Sequence, residues 1–180
     1  MAIVKIPDPV LTTPSKSIEK IDKKVLDFIS EMEETLVGTK NPKGVGLAAP
    51  QAGRGVRIFV TRPQATGPIS VFINPEIIAT SKEKTTGVPG RDNKFEGCLS
   101  IPNVWGVIHR HHMVKLSFQT PDGRQHRRTF TGFVATIIQH EMDHINGILF
   151  TQRVLEQKRK LFKITGKDKE GSDVFEEIEV

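Results

Sequence analysis

The chain has 180 residues, 37% of them hydrophobic and 26% charged, with a formal net charge of +5. That length supports one substantial core but not two ordinary domains, so one catalytic domain over residues 1–180 is expected. The lone cysteine excludes an intrachain disulfide, nothing approaches the ~20 apolar residues that span a bilayer, and no N-terminal stretch resembles a signal peptide, so the expected compartment is the cytoplasm, with no membrane partner.

In chain order, Ile21, Val25, Phe28, Ile29, Met32 and Leu36 recur at helical spacing, with Asp22 as a start signal and Gly38 as a stop. Short β-rich runs follow at 56–60, 69–73, 76–80 and 113–118, separated by Pro and Gly. Pro121-Asp122-Gly123 predicts a hairpin turn into one further strand. A helix from about Gly132 comes next, then a basic helix from about Val154 and an acidic tail from Glu170. This order predicts an α+β fold, mostly antiparallel sheets packed around a central metal-bearing helix, with an N-terminal and a C-terminal helix. There are no internal repeats.

The metal expectation comes from HEMDH at 140–144. At i and i+4, His140 and His144 share one helix face, and the adjacent Glu141 is placed to act as general base on a water at the metal. A hydrolytic site of this kind takes three protein ligands and keeps one position open. Phe150 stands where a metzincin would have its third histidine, which excludes that pattern. A thermolysin-like glutamate would have to be Glu156 or lie in the tail from Glu170, and neither has a convincing context. Cys98 in EGCLS is the better candidate. A free cysteine is ordinarily a small buried hydrophobe, and the HEMDH run is what favours a ligand here. His109, His111, His112 and His126 are rival donors, but they share a basic stretch with Arg110, Arg124, Arg127 and Arg128, which disfavours adding a cation.

Three segments, GVGLAAPQ at 44–51, EGCLS at 96–100 and QHEMDHING at 139–147, occur in the order found in one family, and the chain resembles peptide deformylase. IPDPVL at 6–11 and INPEI at 73–77 extend the likeness over most of the first 155 residues. The resemblance implies that Cys98, His140 and His144 hold one divalent ion, normally Fe2+ in the cell and often Ni2+, Co2+ or Zn2+ in preparations. It implies Glu141 as base, and Gln51 with the Leu99 backbone N–H as the oxyanion hole. The implied substrate is a formylmethionyl nascent peptide, with formate released. Glu96 and Arg110 match positions that the family pairs to brace the cysteine segment.

Chemistry supports those roles. A formyl group is a small amide, whose hydrolysis needs an activated water, stabilisation of charge on the carbonyl oxygen and a proton for the departing amine. A fixed amide donor such as Gln51 contributes roughly 3 kcal/mol to the second requirement. Gly44, Gly46, Ala48 and Ala49 allow backbone to approach a ligand closely. Counting back from His140, Ile137, Thr136 and Phe133 lie on the histidine-bearing face, where with Val45 they would line a methionine-sized pocket; Gly44, Gly46 and Glu96 complete the expected substrate-binding set. Gln139 and Asp143 neighbour the ligands and are candidates to orient an imidazole. Two departures from the family pattern stand out: a long polar stretch at 81–94, expected to alter the pocket rim, and Thr12 where an arginine is common.

The basic segment at 152–169 has a solvated helix face as its ordinary explanation. Because the implied substrate emerges from the ribosome, contact with ribosomal RNA through Lys158, Arg159, Lys160 and Lys163 is also expected; DNA is not. Two other functions compete. A zincin endopeptidase lacks its downstream ligand here, and an RNA-binding module with a structural metal would lack both a fourth ligand and an RNP-type aromatic motif.

Overall fold

A computed structural model describes residues 1–40, 43–90 and 94–179. Helix α1 (Lys23–Gly38) forms where the periodicity predicts it: the Asp22 side chain accepts the Val25 N–H at its start, and Phe28, Ile29, Met32 and Leu36 are buried. The strands, in chain order, are β1 (Gly46–Ala48), β2 (Ile58–Thr61), β3 (Ser70–Thr80), β4 (Lys84–Thr86), β5 (Glu96–Cys98), β6 (Ile101–Gly106), β7 (His109–His111), β8 (Met113–Gln119) and β9 (Gln125–Thr131). Helices α2 (Gly132–Ile145) and α3 (Phe150–Glu156) follow, then β10 (Leu161–Lys167) and β11 (Asp173–Ile178). All strand pairings between these elements are antiparallel. No helix among the described residues is long and apolar enough to cross a membrane.

The first sheet has the order β1-β2-β3-β8-β9 and is covered on both faces. Along β2, Ile58 and Val60 join the cluster under α1, whereas Phe59 between them joins Phe72, Leu116, Ala135, Ile138 and Met142 under α2. A two-sided burial explains why that run is apolar throughout instead of alternating. The second sheet has the order β11-β10-β6-β5 and packs Ile101 and Leu161 against Phe150 and Val154 of α3. It leaves β5, which carries Cys98, at an edge close to α2.

Two expectations are corrected. The runs at 69–73 and 76–80 are one strand, β3, whose register shifts between Ile73 and Glu76. Asn74 sits in the irregularity at φ 48°, where its side chain accepts the Ile18 N–H at 2.7 Å and donates to the Ile18 carbonyl at 2.8 Å, tying the N-terminal segment to the sheet. The basic helix from about Val154 is also replaced: α3 ends at Glu156, and the cations beyond it lie on a turn and on β10. Most of the acidic tail, Asp173, Glu176 and Glu177, lies on β11, paired with β10. The sequence from Phe162 suits a strand because Phe162, Lys163, Ile164 and Thr165 alternate apolar and polar across its two faces, and Asp168 organises the reversal by accepting the Glu170 and Ser172 N–H groups. Lys163 then opposes Glu176, and Lys167 opposes Asp173, so the two blocks of charge pair across the hairpin.

The turn at Pro121-Asp122-Gly123 joins β8 to β9 with Gly123 at φ 80°. Of the polar stretch at 81–94, β4 pairs with β7 and Val88 is buried, while residues 91–93 lie outside the described residues.

Candidate metal centre

Helix α2 delivers His140, Glu141 and His144 from one face, and the β5 edge delivers Cys98. The candidate ligand atoms of Cys98, His140 and His144 all lie within 4.8 Å of one another. Cys98 Sγ is 3.1 Å from His144 Nε2, and the two imidazole rings are 4.9 Å apart. His140 Nδ1 donates to Glu96 Oε1 at 2.6 Å, which leaves its Nε2 as the ring's remaining donor atom for a cation. Burial would raise the Cys98 pKa, but His144 and then His140 hold it well below the ordinary thiol range, which favours the thiolate form that binds a metal. A thiolate and two imidazoles suit a borderline divalent ion, and three protein ligands leave a position for water or substrate. The donor set therefore fits a catalytic metal, and the cluster opens on one side because Cys98 and His140 also line a cavity.

Glu141 is buried, and its Oε2 has no hydrogen-bond partner among the described residues. Burial raises this carboxyl to about 7, against the pull of both imidazoles. Its place explains Gly46 in the strand below: a Cβ there would lie 2.2 Å from Glu141 Oε1 and 3.0 Å from Ile137 Cγ2. Gln51 is held by its own carbonyl, since Oε1 accepts the Ala48 N–H at 2.9 Å. Its Nε2 is thereby directed to Cys98 Sγ at 3.5 Å and Ser100 Oγ at 3.3 Å. Leu99 follows Cys98 in the turn between β5 and β6.

A chain of ion pairs, buried at Glu96, Arg110 and Asp143, supports this arrangement. Arg110 on β7 donates twice to Glu96, at 2.8 and 2.6 Å, and once to Asp143 at 3.0 Å. Arg153 of α3 donates to the other Asp143 oxygen at 3.1 and 2.9 Å. Burial works against the Glu96 carboxylate, yet Arg110 and His140 keep it well below the usual carboxylate range. The imidazole-orienting role expected of Gln139 or Asp143 thus falls to Glu96. Asp143 accepts from the two arginines, while Gln139 pins β7 through the His111 N–H and carbonyl. His144 Nδ1 is buried without a partner among the described residues.

The rival histidines are engaged elsewhere. His109 contacts Thr86 and Arg159, His111 the Ser81 carbonyl, His112 Thr85, and His126 Thr120. Glu156 pairs with Arg153 on an exposed face.

Every expected pocket residue, Gly44, Val45, Gly46, Glu96, Phe133, Thr136 and Ile137, lines the cavity beside Gln51, Cys98, Leu99, His140 and Glu141. The Thr136 hydroxyl donates to the Gly132 carbonyl at 3.3 Å, so its polarity is satisfied within α2. Sequence reasoning missed Lys43, Val88, Gly97 and Trp105 in the wall, and Arg153 in the brace. Only the fold explains Gly97: Trp105 opposes it across β5 and β6, and a Cβ there would lie 2.7 Å from the indole ring.

A family model for polypeptide deformylase matches residues 1–160. Peptide deformylase of Dictyoglomus thermophilum is 40% identical over 158 residues, covering 88% of this chain and 95% of that relative. The crystal structure of peptide deformylase from Thermotoga maritima aligns with a TM-score of 0.74 at 34% identity, over 84% of this chain and 95% of that one. That of a peptide deformylase from Synechococcus elongatus in complex with actinonin aligns with a TM-score of 0.75 at 35% identity, over 85% and 78%. Residues 161–180, which contain β10 and β11, lie beyond the family match.

Proposed function

The chain belongs to the polypeptide deformylase family, and on that premise we propose a division of labour among its residues. It is a metal-dependent hydrolase that removes the formyl group from the N-terminal formylmethionine of newly made polypeptides and releases formate. In our reading Cys98, His140 and His144 hold the ion. The observation that carries this is the convergence of one cysteine sulfur and two imidazoles beside a buried carboxyl whose Oε2 has no partner among the described residues.

Held by these three residues, the ion would supply Lewis acidity for activating water and the formyl carbonyl. Glu141 Oε2 takes a proton from the attacking water as its oxygen bonds to the formyl carbon. Burial raises the proton affinity of this carboxyl, which suits a group that must take a proton and later give it back. The Gln51 Nε2–H and the Leu99 backbone N–H donate to the carbonyl oxygen as it gains charge, and the Ala48 contact means that Gln51 need not reorient. Glu141 then returns the proton to the amine nitrogen as the C–N bond breaks, giving formate and a free N-terminus. Gly44, Val45, Gly46, Phe133, Thr136 and Ile137 receive the methionine side chain, and Glu96, Arg110, Asp143 and Gln139 hold the ligand-bearing elements in register.

We assign Fe2+ as the ion in the cell, with Zn2+, Ni2+ and Co2+ accepted by the same donors. A thiolate ligand supports a reducing compartment, the cytoplasm. We take residues 1–180 as one catalytic domain, a reading supported by β10 and β11 extending the sheet that carries Cys98. We also assign ribosome contact to the basic residues 158–163. Lys158 and Arg159 have no carboxylate partner among the described residues, and loss of ribosome pelleting on neutralising them tests the assignment.

Anaerobically metallated protein should release formate from a formylmethionyl peptide and leave unformylated casein intact. Glu141→Gln should keep its metal while turnover falls by about 100-fold or more. Near-normal turnover in that variant would remove the base assignment, and casein cleavage without formate would remove the function.

A further inference from the structure

Beyond the methionine pocket, the second sheet presents an aromatic face that the chemistry above does not use. Trp105 and Phe162 are register partners on β6 and β10, so their side chains share a face. Phe95 stacks on Phe162 at 4.9 Å and meets Phe175 of β11 edge-on at 4.6 Å; Phe175 in turn meets Trp105 edge-on at 6.2 Å. The opposite face of the sheet is the one that packs on α3, through Leu161 and Gly106 against Val154. All four aromatics are half-buried, and none belongs to the three buried clusters of the described residues.

This face is continuous with the cavity. Trp105 belongs to both: its ring lies across Gly97, next to Cys98, and lines the cavity wall. A formylated polypeptide cannot end at its methionine, so the residues that follow must leave the cavity over some part of its rim. The 6.2 Å between the Trp105 and Phe175 rings is close to the spacing of alternate side chains in an extended peptide, about 6.7 Å. Two of the four aromatics, Phe162 and Phe175, come from the hairpin that lies beyond the family match.

We propose that the β10–β11 hairpin extends the substrate cleft into an aromatic shelf, on which Trp105, Phe162 and Phe175 bind apolar side chains following the formylmethionine. This deepens the deformylase reading and rests on it. The enzyme selects among nascent chains by the residues after the first. Phe162 and Phe175 are specificity residues and take no part in bond breaking.

Trp105 is the only tryptophan and the chain has no tyrosine, so its emission reports on the shelf directly. The deformylated product Met-Phe-Phe should change that emission saturably, whereas Met-Gly-Gly, which has no ring to stack on a half-open surface, should bind at least about threefold more weakly. In turnover, formyl-Met-Phe-Phe should show a lower KM than formyl-Met-Gly-Gly with similar kcat. Phe175→Ala should narrow that KM ratio towards one. Phe175→Lys should move the preference towards acidic residues after methionine, a gain that loss of folding cannot produce. Formate release at equal KM from all these peptides, with no emission response, would overturn the shelf and leave the deformylase reading standing. Absence of formate from every formylated peptide would overturn both.

Discussion

Around Cys98, the Arg110 to Glu96 pair closes at 2.6 Å with side chains 5% and 7% exposed. Across the C-terminal hairpin, Lys160 to Glu177 closes at the same 2.6 Å with side chains 65% and 44% exposed. The contacts are alike in chemistry and length, but water reaches only one of them. In the buried network Glu96, Arg110 and Asp143 have lost most of their hydration and depend on their partners, so Glu96 satisfies Arg110 and His140 together. In the hairpin, water replaces any partner that leaves, and salt screens what remains. Burial therefore decides which charges hold the site and which decorate the surface.

Arg110→Ala should break the comparison most severely. It leaves Glu96 and Asp143 buried without their shared cation, and chemical denaturation should show a loss of about 3–5 kcal/mol. A loss below about 1 kcal/mol, the range of a surface pair, would show that water already reaches the network. Glu96→Gln is milder because it preserves shape. It weakens the acceptor of His140 Nδ1, and competition with a chelator should show metal affinity falling by about 10-fold to 100-fold. Unchanged affinity would separate the brace from the ligands. The smallest effect belongs to the hairpin: a double-mutant cycle over Lys160→Ala and Glu177→Ala should give a coupling of about 0.5 kcal/mol or less, fading at high salt. A coupling above about 2 kcal/mol there would erase the distinction.

The same contrast accounts for what could be read before the fold was known. The HEMDH face and the Asp22 start of α1 follow from short-range rules, and both appear where those rules put them. The carboxylate that orients His140 was not readable in this way. Asp143 and Gln139 are its neighbours in sequence, but Glu96 is 44 residues away and reaches it only because β5 lies against α2. The basic segment after Val154 misled for a related reason. A run of cations with interspersed apolar residues suits a solvated helix face until an acidic strand is found opposite, and Lys163 meets Glu176 only through the reversal that Asp168 organises. Trp105 escaped notice because its role depends on Gly97 opposite it, across two strands.

What the amino-acid order determined by itself was the chemistry available on each local element: two imidazoles and a carboxylate on one turn of helix, a thiol between glycine and leucine, and small residues before Gln51. Backbone geometry repeats every few residues, so such placements need no knowledge of the rest of the chain. Tertiary structure alone decided which side chains meet across long separations. It brought Cys98, rather than His109, His111, His112 or His126, to the helix, gave His140 to Glu96, and folded the terminal charges into a hairpin. Strand register and buried ion pairing are non-local, settled by which packing satisfies every desolvated group at once, and no short window of sequence contains that condition.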